Sequence, residues 1–180
     1  VIVDAVVTIA DGSQEDTLFP TFDFTLFPPT VYKANSLKGE VGRTYTLSIF
    51  HEGKSYQAVT SIPEPLALDS TWFQLQPPSD SLGFIWAHMS EPPGLGQNYR
   101  WFVKRFGKDL RFVAPLGSVF DDRFIDGKSF DFAYNRGAEF NSSATDDNNE
   151  ERGFFKVGDS LVVKFTTIDK ESYEFLNLFE

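Results

Sequence analysis

Apolar and polar positions along this chain alternate with a period of two far more often than with the helical period of 3.6, which predicts strands joined by turns. From Thr44 to Phe50, Tyr45, Leu47 and Ile49 fall on one face and Thr44, Thr46 and Ser48 on the other. The alternation resumes from Ser55 to Ile62, so the two runs form a hairpin with His51-Glu52-Gly53-Lys54 as its connection. Upstream, Ala5 to Ile9 runs into the turn pair Asp11-Gly12, Phe22 to Leu26 ends at Pro28-Pro29, and Val31 to Ala34 follows. Residues 1–62 therefore read as a small sandwich of short strands.

Ile62-Pro63-Glu64-Pro65-Leu66 breaks the pattern. Prolines one residue apart favour an extended path and cannot sit in a central strand, so residues 63–66 are expected to link two domains. In residues 67–180 further strands are expected at Thr71 to Leu75, Gly83 to Met89, Tyr99 to Phe106, Phe130 to Tyr134 and Ser160 to Thr166. This second domain is mainly β as well. One helix is expected near residues 170–179, capped by Asp169, with Ile168 and Tyr173 as a hydrophobic staple and Glu171 suited to the first-turn dipole. Asn141 to Glu151 has no apolar side chain but Ala144 and is expected to be a mobile loop.

Composition narrows the function classes. Twenty-six acidic residues against 16 basic give a formal charge of −10 and a pI near 4.6. Such a field repels phosphate backbones, so no nucleic-acid partner is expected. With no cysteine there is no disulfide, thiolate-bound metal or thiol nucleophile. No apolar run approaches the roughly 18 residues of a membrane-crossing helix. The chain opens on the strand-like Val1-Ile2-Val3 and closes on Phe175-Leu176-Asn177-Leu178-Phe179, so both ends are expected to be cuts through a longer protein.

Little points to catalysis. Neither His51 nor His88 lies in a catalytic signature, and no Gly-x-Ser-x-Gly elbow is present. Asp121, Asp122 and Asp126, followed by Gly127, form a weak candidate calcium loop, since calcium takes six to eight oxygens; the competing reading is that these carboxylates shape turns. A second acidic group, Asp146, Asp147, Glu150 and Glu151, lies in the polar loop, and neither matches EF-hand spacing. No cofactor is implied.

The strongest anomaly is aromatic: 20 Phe, 6 Tyr and 3 Trp. Most must be core, yet Trp72, Trp86 and Trp101 are candidates for stacking against a ligand. Around residue 101 the strand is apolar on both sides, with Tyr99, Trp101 and Val103 on one face and Arg100, Phe102, Lys104 and Phe106 on the other. A sandwich needs one face for its core, so the other is covered by a neighbour or forms an interface. Trp101, Phe102, Arg100, Trp72 and Trp86 are therefore the interface or ligand candidates.

Several segments carry a resemblance in order along the chain. They are Ala5-Val6-Val7-Thr8-Ile9-Ala10-Asp11-Gly12, then Lys38-Gly39-Glu40-Val41-Gly42-Arg43-Thr44-Tyr45-Thr46-Leu47, then Glu91-Pro92-Pro93-Gly94 with Asn98-Tyr99-Arg100-Trp101. Asp121-Asp122-Arg123-Phe124-Ile125-Asp126-Gly127-Lys128-Ser129-Phe130, Gly158-Asp159-Ser160-Leu161-Val162-Val163 and Ile168-Asp169-Lys170-Glu171-Ser172-Tyr173-Glu174-Phe175-Leu176 follow. Together they resemble the Bacteroidota outer-membrane lipoprotein family known as domain of unknown function 4249, with the lipobox cysteine and the segment after the helix missing. The resemblance implies an immunoglobulin-like first domain and a larger β-sandwich-like second domain. It also implies a lipid anchor at the outer membrane and a TonB-dependent receptor or similar barrel as partner. Asp16-Thr17-Leu18, Asp69-Ser70-Thr71, Asp80-Ser81-Leu82 and Asp159-Ser160-Leu161 are similar to O-glycosylation acceptors of Bacteroidota envelope proteins. The expected function is a non-enzymatic accessory or assembly component, with a glycan- or peptide-capturing module for nutrient uptake as the alternative.

Overall fold

The computed structural model describes residues 2–26, 28–115, 117–137 and 153–179. Among the described residues the fold is all-β with one helix, and the chain divides into two compact units, Val1–Glu64 and Pro65–Glu180. The polar stretch 141–151 lies outside the described residues.

In the first unit the strands β1 (Val6–Ala10), β2 (Glu15–Phe22), β3 (Thr30–Lys33), β4 (Thr44–His51) and β5 (Lys54–Ser61) form an antiparallel path in the order β3-β2-β1-β4-β5. Strand β2 serves two ladders: Glu15 to Leu18 pairs with β1, and Phe19 to Phe22 pairs with β3. Strands that change partners in this way make the corners of sandwiches. Val7 and Tyr45 are its buried apolar residues.

Two local expectations are corrected. The β4–β5 connection is only Glu52 and Gly53, whose φ values of 49° and 75° suit a type I′ turn, and His51 and Lys54 pair within the ladder. Phe22 to Leu26 does not continue as a strand, because Asp23 folds it into a turn. The Asp23 carboxylate accepts the Thr25 amide and hydroxyl and pairs with Lys33 at 2.9 Å.

The second unit is a sandwich of two antiparallel sheets. In one, β7 (Leu82–Ser90) pairs with β6 (Ser70–Leu75), β10 (Ser129–Tyr134) and the short β11 (Phe155–Lys156). In the other, the order is β12 (Leu161–Ile168), β8 (Asn98–Arg105), β9 (Val119–Asp121). Alternate residues point inward: Ile85 and Ala87 from β7, Tyr134 from β10, Trp101 and Val103 from β8, and Phe155 from β11 form the core. Phe120, Phe132, Leu161, Val163 and Phe165 pack against it. Gly83 lets β6 close on β7, since a Cβ there would stand 2.1 Å from the Gln74 carbonyl oxygen.

Helix α1 (Lys170–Phe179) closes the described chain. Asp169 caps it, accepting the Ser172 amide at 2.8 Å and the Ser172 hydroxyl at 2.9 Å. The helix rests on β9 and the start of β8.

The entry to β8 is held by three carboxylates, two of them buried. Glu91 accepts the Tyr99 hydroxyl at 2.9 Å and the Gly127 amide at 3.0 Å. Asp122, almost fully buried, accepts the amides of Gly96 and Gln97 at 2.7 and 2.9 Å. Asp126 accepts the Gly94 amide at 2.6 Å. Three carboxylates thus bind the 91–98 loop to the 121–127 turn and set where β8 begins.

Removing Glu91 leaves a buried tyrosine hydroxyl without its acceptor. Glu91→Ala should lower stability by about 3 kcal/mol, with Glu91→Gln recovering part of it, as read from urea unfolding. In the first unit, the Thr25 hydroxyl and then Lys33 hold the Asp23 carboxyl at about 2. A depressed folded-state value means the contribution is present above the unfolded value of about 3.9 and is lost as pH falls through about 2. A carbon-detected NMR titration should find that midpoint, and Thr25→Val should move it upward.

Candidate functional site

Strand β8 places its two neighbouring aromatics on opposite faces of one sheet. Trp101 is 8% exposed and points inward, with its ring 4.3 Å from the Tyr134 ring, 5.6 Å from Phe132 and 6.0 Å from Phe120. It is a core residue and cannot contact a ligand without opening the sandwich. Phe102 points outward. The Arg100 guanidinium carbon lies 4.8 Å from its ring centre and the Lys164 ammonium 5.1 Å, an arrangement attractive for cations over a π face. Lys164 is the direct cross-strand partner of Phe102, and Arg100 and Lys104 flank Phe102 at alternate positions of β8. Lys104 donates to the Leu110 carbonyl at 3.0 Å. The outer face of β8 and β12 thus gathers Arg100, Lys104 and Lys164 around one half-buried phenylalanine, on a chain whose formal charge is −10.

Trp72 and Trp86 come together on the outer face of the other sheet. They are direct partners in the β6–β7 ladder, with ring centres 6.3 Å apart and planes at 19°. Phe84, on the same face of β7, meets Phe154 at 4.9 Å. Gln74 pairs with Phe84, and His88 Nδ1 lies 2.6 Å from an Asp131 oxygen, so polar groups border the aromatic stripe.

The acidic loop is built differently from a calcium site. Asp122 and Asp126 use their oxygens on backbone amides, and Asp121 pairs with Arg123 at 2.6 Å. Among the described residues no group of three or more His, Asp or Glu is placed to hold a metal ion. The acidic residues 146, 147, 150 and 151 lie outside those described. Beside this loop, a cleft of about 620 Å³ runs between α1 and the 95–98 segment, lined by Leu95, Arg123, Lys170, Tyr173 and Leu178 among others. Burial and the Asp121 carboxylate raise the Tyr173 pKa. Phe175, Leu178 and Phe179 remain exposed on the helix, Leu178 by 88%.

Of the acceptor-like Asp-Ser/Thr pairs, two have an aspartate with a structural task. Asp16 receives the amides of Asn35, Ser36 and Leu37 on one oxygen, and Asp159 receives the Lys156 amide and pairs with Lys108. His51 Nε2 stands 3.1 Å from an Asp4 oxygen in the first unit. Lys164, Phe84 and Phe154 were not among the candidates from sequence. Lys164 was within reach, because its strand has period-two alternation, but only the register against β8 sets it opposite Phe102.

No helix among the described residues is long and apolar enough to cross a membrane. No curated protein and no solved structure matches the chain. The family described as Domain of unknown function (DUF4249) matches residues 1–180, so the chain belongs to that family.

Proposed function

We propose that this chain is a non-catalytic recognition and assembly domain of a lipid-anchored protein at the outer membrane, working beside a TonB-dependent receptor or a similar barrel. The observation that carries this reading is the outer face of β8 and β12, where Phe102 sits outside the core between Arg100 and Lys164. An aromatic ring bordered by arginine is the chemistry of interface hot spots, and a local cationic group on an acidic chain selects and orients a partner of opposite charge. The carboxylates that could have served catalysis near β8 instead hold loops through backbone amides.

A second reading, capture of a glycan or peptide for uptake, is favoured by the stacked Trp72 and Trp86 with Gln74 and His88 at their border. It requires that a glycan mixture raise the melting temperature of the protein and that Trp72→Ala abolish the rise.

The assembly reading is tested by a pair of mutants of the tagged protein in outer-membrane extracts. Phe102→Ala should weaken retention of the barrel by about 2 kcal/mol, roughly thirtyfold, with thermal unfolding unchanged. Trp101→Ala should cost about 3–5 kcal/mol of stability. Equal unfolding by both would show that Phe102 is covered from within, and the absence of any co-purifying barrel would overturn the reading.

A further inference from the structure

Among the described residues, the two sheets of the second unit are open along one side. Phe106 N donates to Ser160 O at 2.8 Å, whereas on the other side of β8 Trp101 N donates to Ser118 O and Val103 exchanges both its backbone bonds with Val113. Odd residues of β8 therefore bond toward β9 and even residues toward β12. By the register, Val162, Lys164 and Thr166 turn their backbone groups to β8. The amides and carbonyls of Leu161, Val163 and Phe165 consequently face away, along an edge that no described strand occupies.

Strand β6 has the same parity. Gln76 N donates to Leu82 O at 2.9 Å, which places the backbone groups of Thr71, Phe73 and Leu75 on its free edge. The two free edges border one groove of about 430 Å³ that reaches inward side chains, with Leu68, Thr71, Phe73, Ile85, Leu161 and Val163 in its lining. Free edges in stable proteins are commonly guarded by proline, bulges or inward-pointing charges. β12 has no proline, and its one charged residue, Lys164, points outward beside Phe102.

We propose that this groove accepts an extended peptide strand from a partner protein, which pairs with the free edge of β12 and is apolar at alternate positions and acidic between them. The inference rests on the reading that the chain acts by binding a protein. A strand is required because only an extended backbone can meet the outward row of donors and acceptors at Leu161, Val163 and Phe165; a helix satisfies none of them. Alternation follows from the pleat: side chains on the inner side of the added strand fall into the apolar groove, and those between stand on the outer face. The acidic character follows from charge. The outer positions of the added strand adjoin Lys164, and Lys104 and Arg100 lie one strand further, within about a Debye length. No carboxylate occurs in β12.

The probe is a fluorescein-labelled peptide of alternating valine and glutamate as long as β12, compared with its valine–lysine counterpart and with a version carrying a central proline. Anisotropy should show the glutamate peptide binding at least roughly tenfold more tightly than either. Hydrogen exchange should show new protection of the Leu161, Val163 and Phe165 amides. Lys164→Glu should reverse the charge preference. Val163→Pro, which removes an edge donor without touching the β8 ladder, should abolish binding. Equal binding of the three peptides, or no new protection at those amides, overturns the inference. So does a concentration-dependent dimer that Val163→Pro dissolves, since the occupant would then be a second copy of the chain. A wild-type protein that retains its barrel while the peptide protects nothing fails this inference alone. One that binds the peptide as expected yet retains no envelope partner fails the assembly reading instead.

Discussion

Glu91 lies 4% exposed, with the Tyr99 hydroxyl on one oxygen and the Gly127 amide on the other. Two residues further along β8 stands Trp101, and beside it Phe102. A one-residue slip of β8 would exchange them, bringing phenylalanine into the core and tryptophan to the surface. Hydrophobicity barely opposes that slip, because both side chains are large and apolar. The carboxylate does oppose it, since a slipped Tyr99 would leave a buried charge without its hydroxyl donor, a cost of several kcal/mol. Asp122 acts in the same sense by fixing the amides of Gly96 and Gln97 just before the strand. The whole second sheet, and with it the face presented by Phe102, therefore depends on acids that act by binding backbone amides and a tyrosine hydroxyl.

This dependence also explains what was legible in the sequence. The long strands β4, β7, β8 and β12 declare themselves by alternation, and the helix by a cap, because the Asp169–Ser172 bonds span three residues. Strand β2 did not, since Pro20 interrupts it. Its pairing with Tyr32 is tolerated because that stretch bonds to β3 alone. Strands β9 and β11, with 3 and 2 residues, are too short to show a period. The inward face of β8 could not be chosen from local pattern, as the deciding contact joins Glu91 to Gly127 across 36 residues. Nor could the pairing of Trp72 with Trp86 be read, although each tryptophan was in view, because it follows from the β6–β7 register.

Charge is distributed by the same logic in both units. In the first, Asp11, Asp16 and Asp23 each collect amide or hydroxyl donors, and each carboxyl is held below its ordinary value by those bonds. The Gln14 amide is the largest cause for Asp11, and the Leu37 amide for Asp16. Acid residues thus do the work of turn and loop closure in a chain with no disulfide to share it. Among the described residues, Arg100, Lys104 and Lys164 gather around Phe102. The outer face of β8 and β12 is thus cationic on a chain of formal charge −10.

The open edge of β12 and the Phe102 face are two consequences of one parity. Because even residues of β8 bond to β12, the same even residues of β12 lie outward beside Phe102, and the odd ones combine inward side chains with outward-facing backbone groups. A strand added there would set acidic side chains beside the cationic face and close the apolar groove in a single step. Partner binding and core completion are then one event, and a ligand that binds only the folded state stabilises it by about 2.7 kcal/mol at a hundred times its dissociation constant. For a small sandwich whose groove reaches its own core residues, that coupling would make the domain firmer when assembled than when alone.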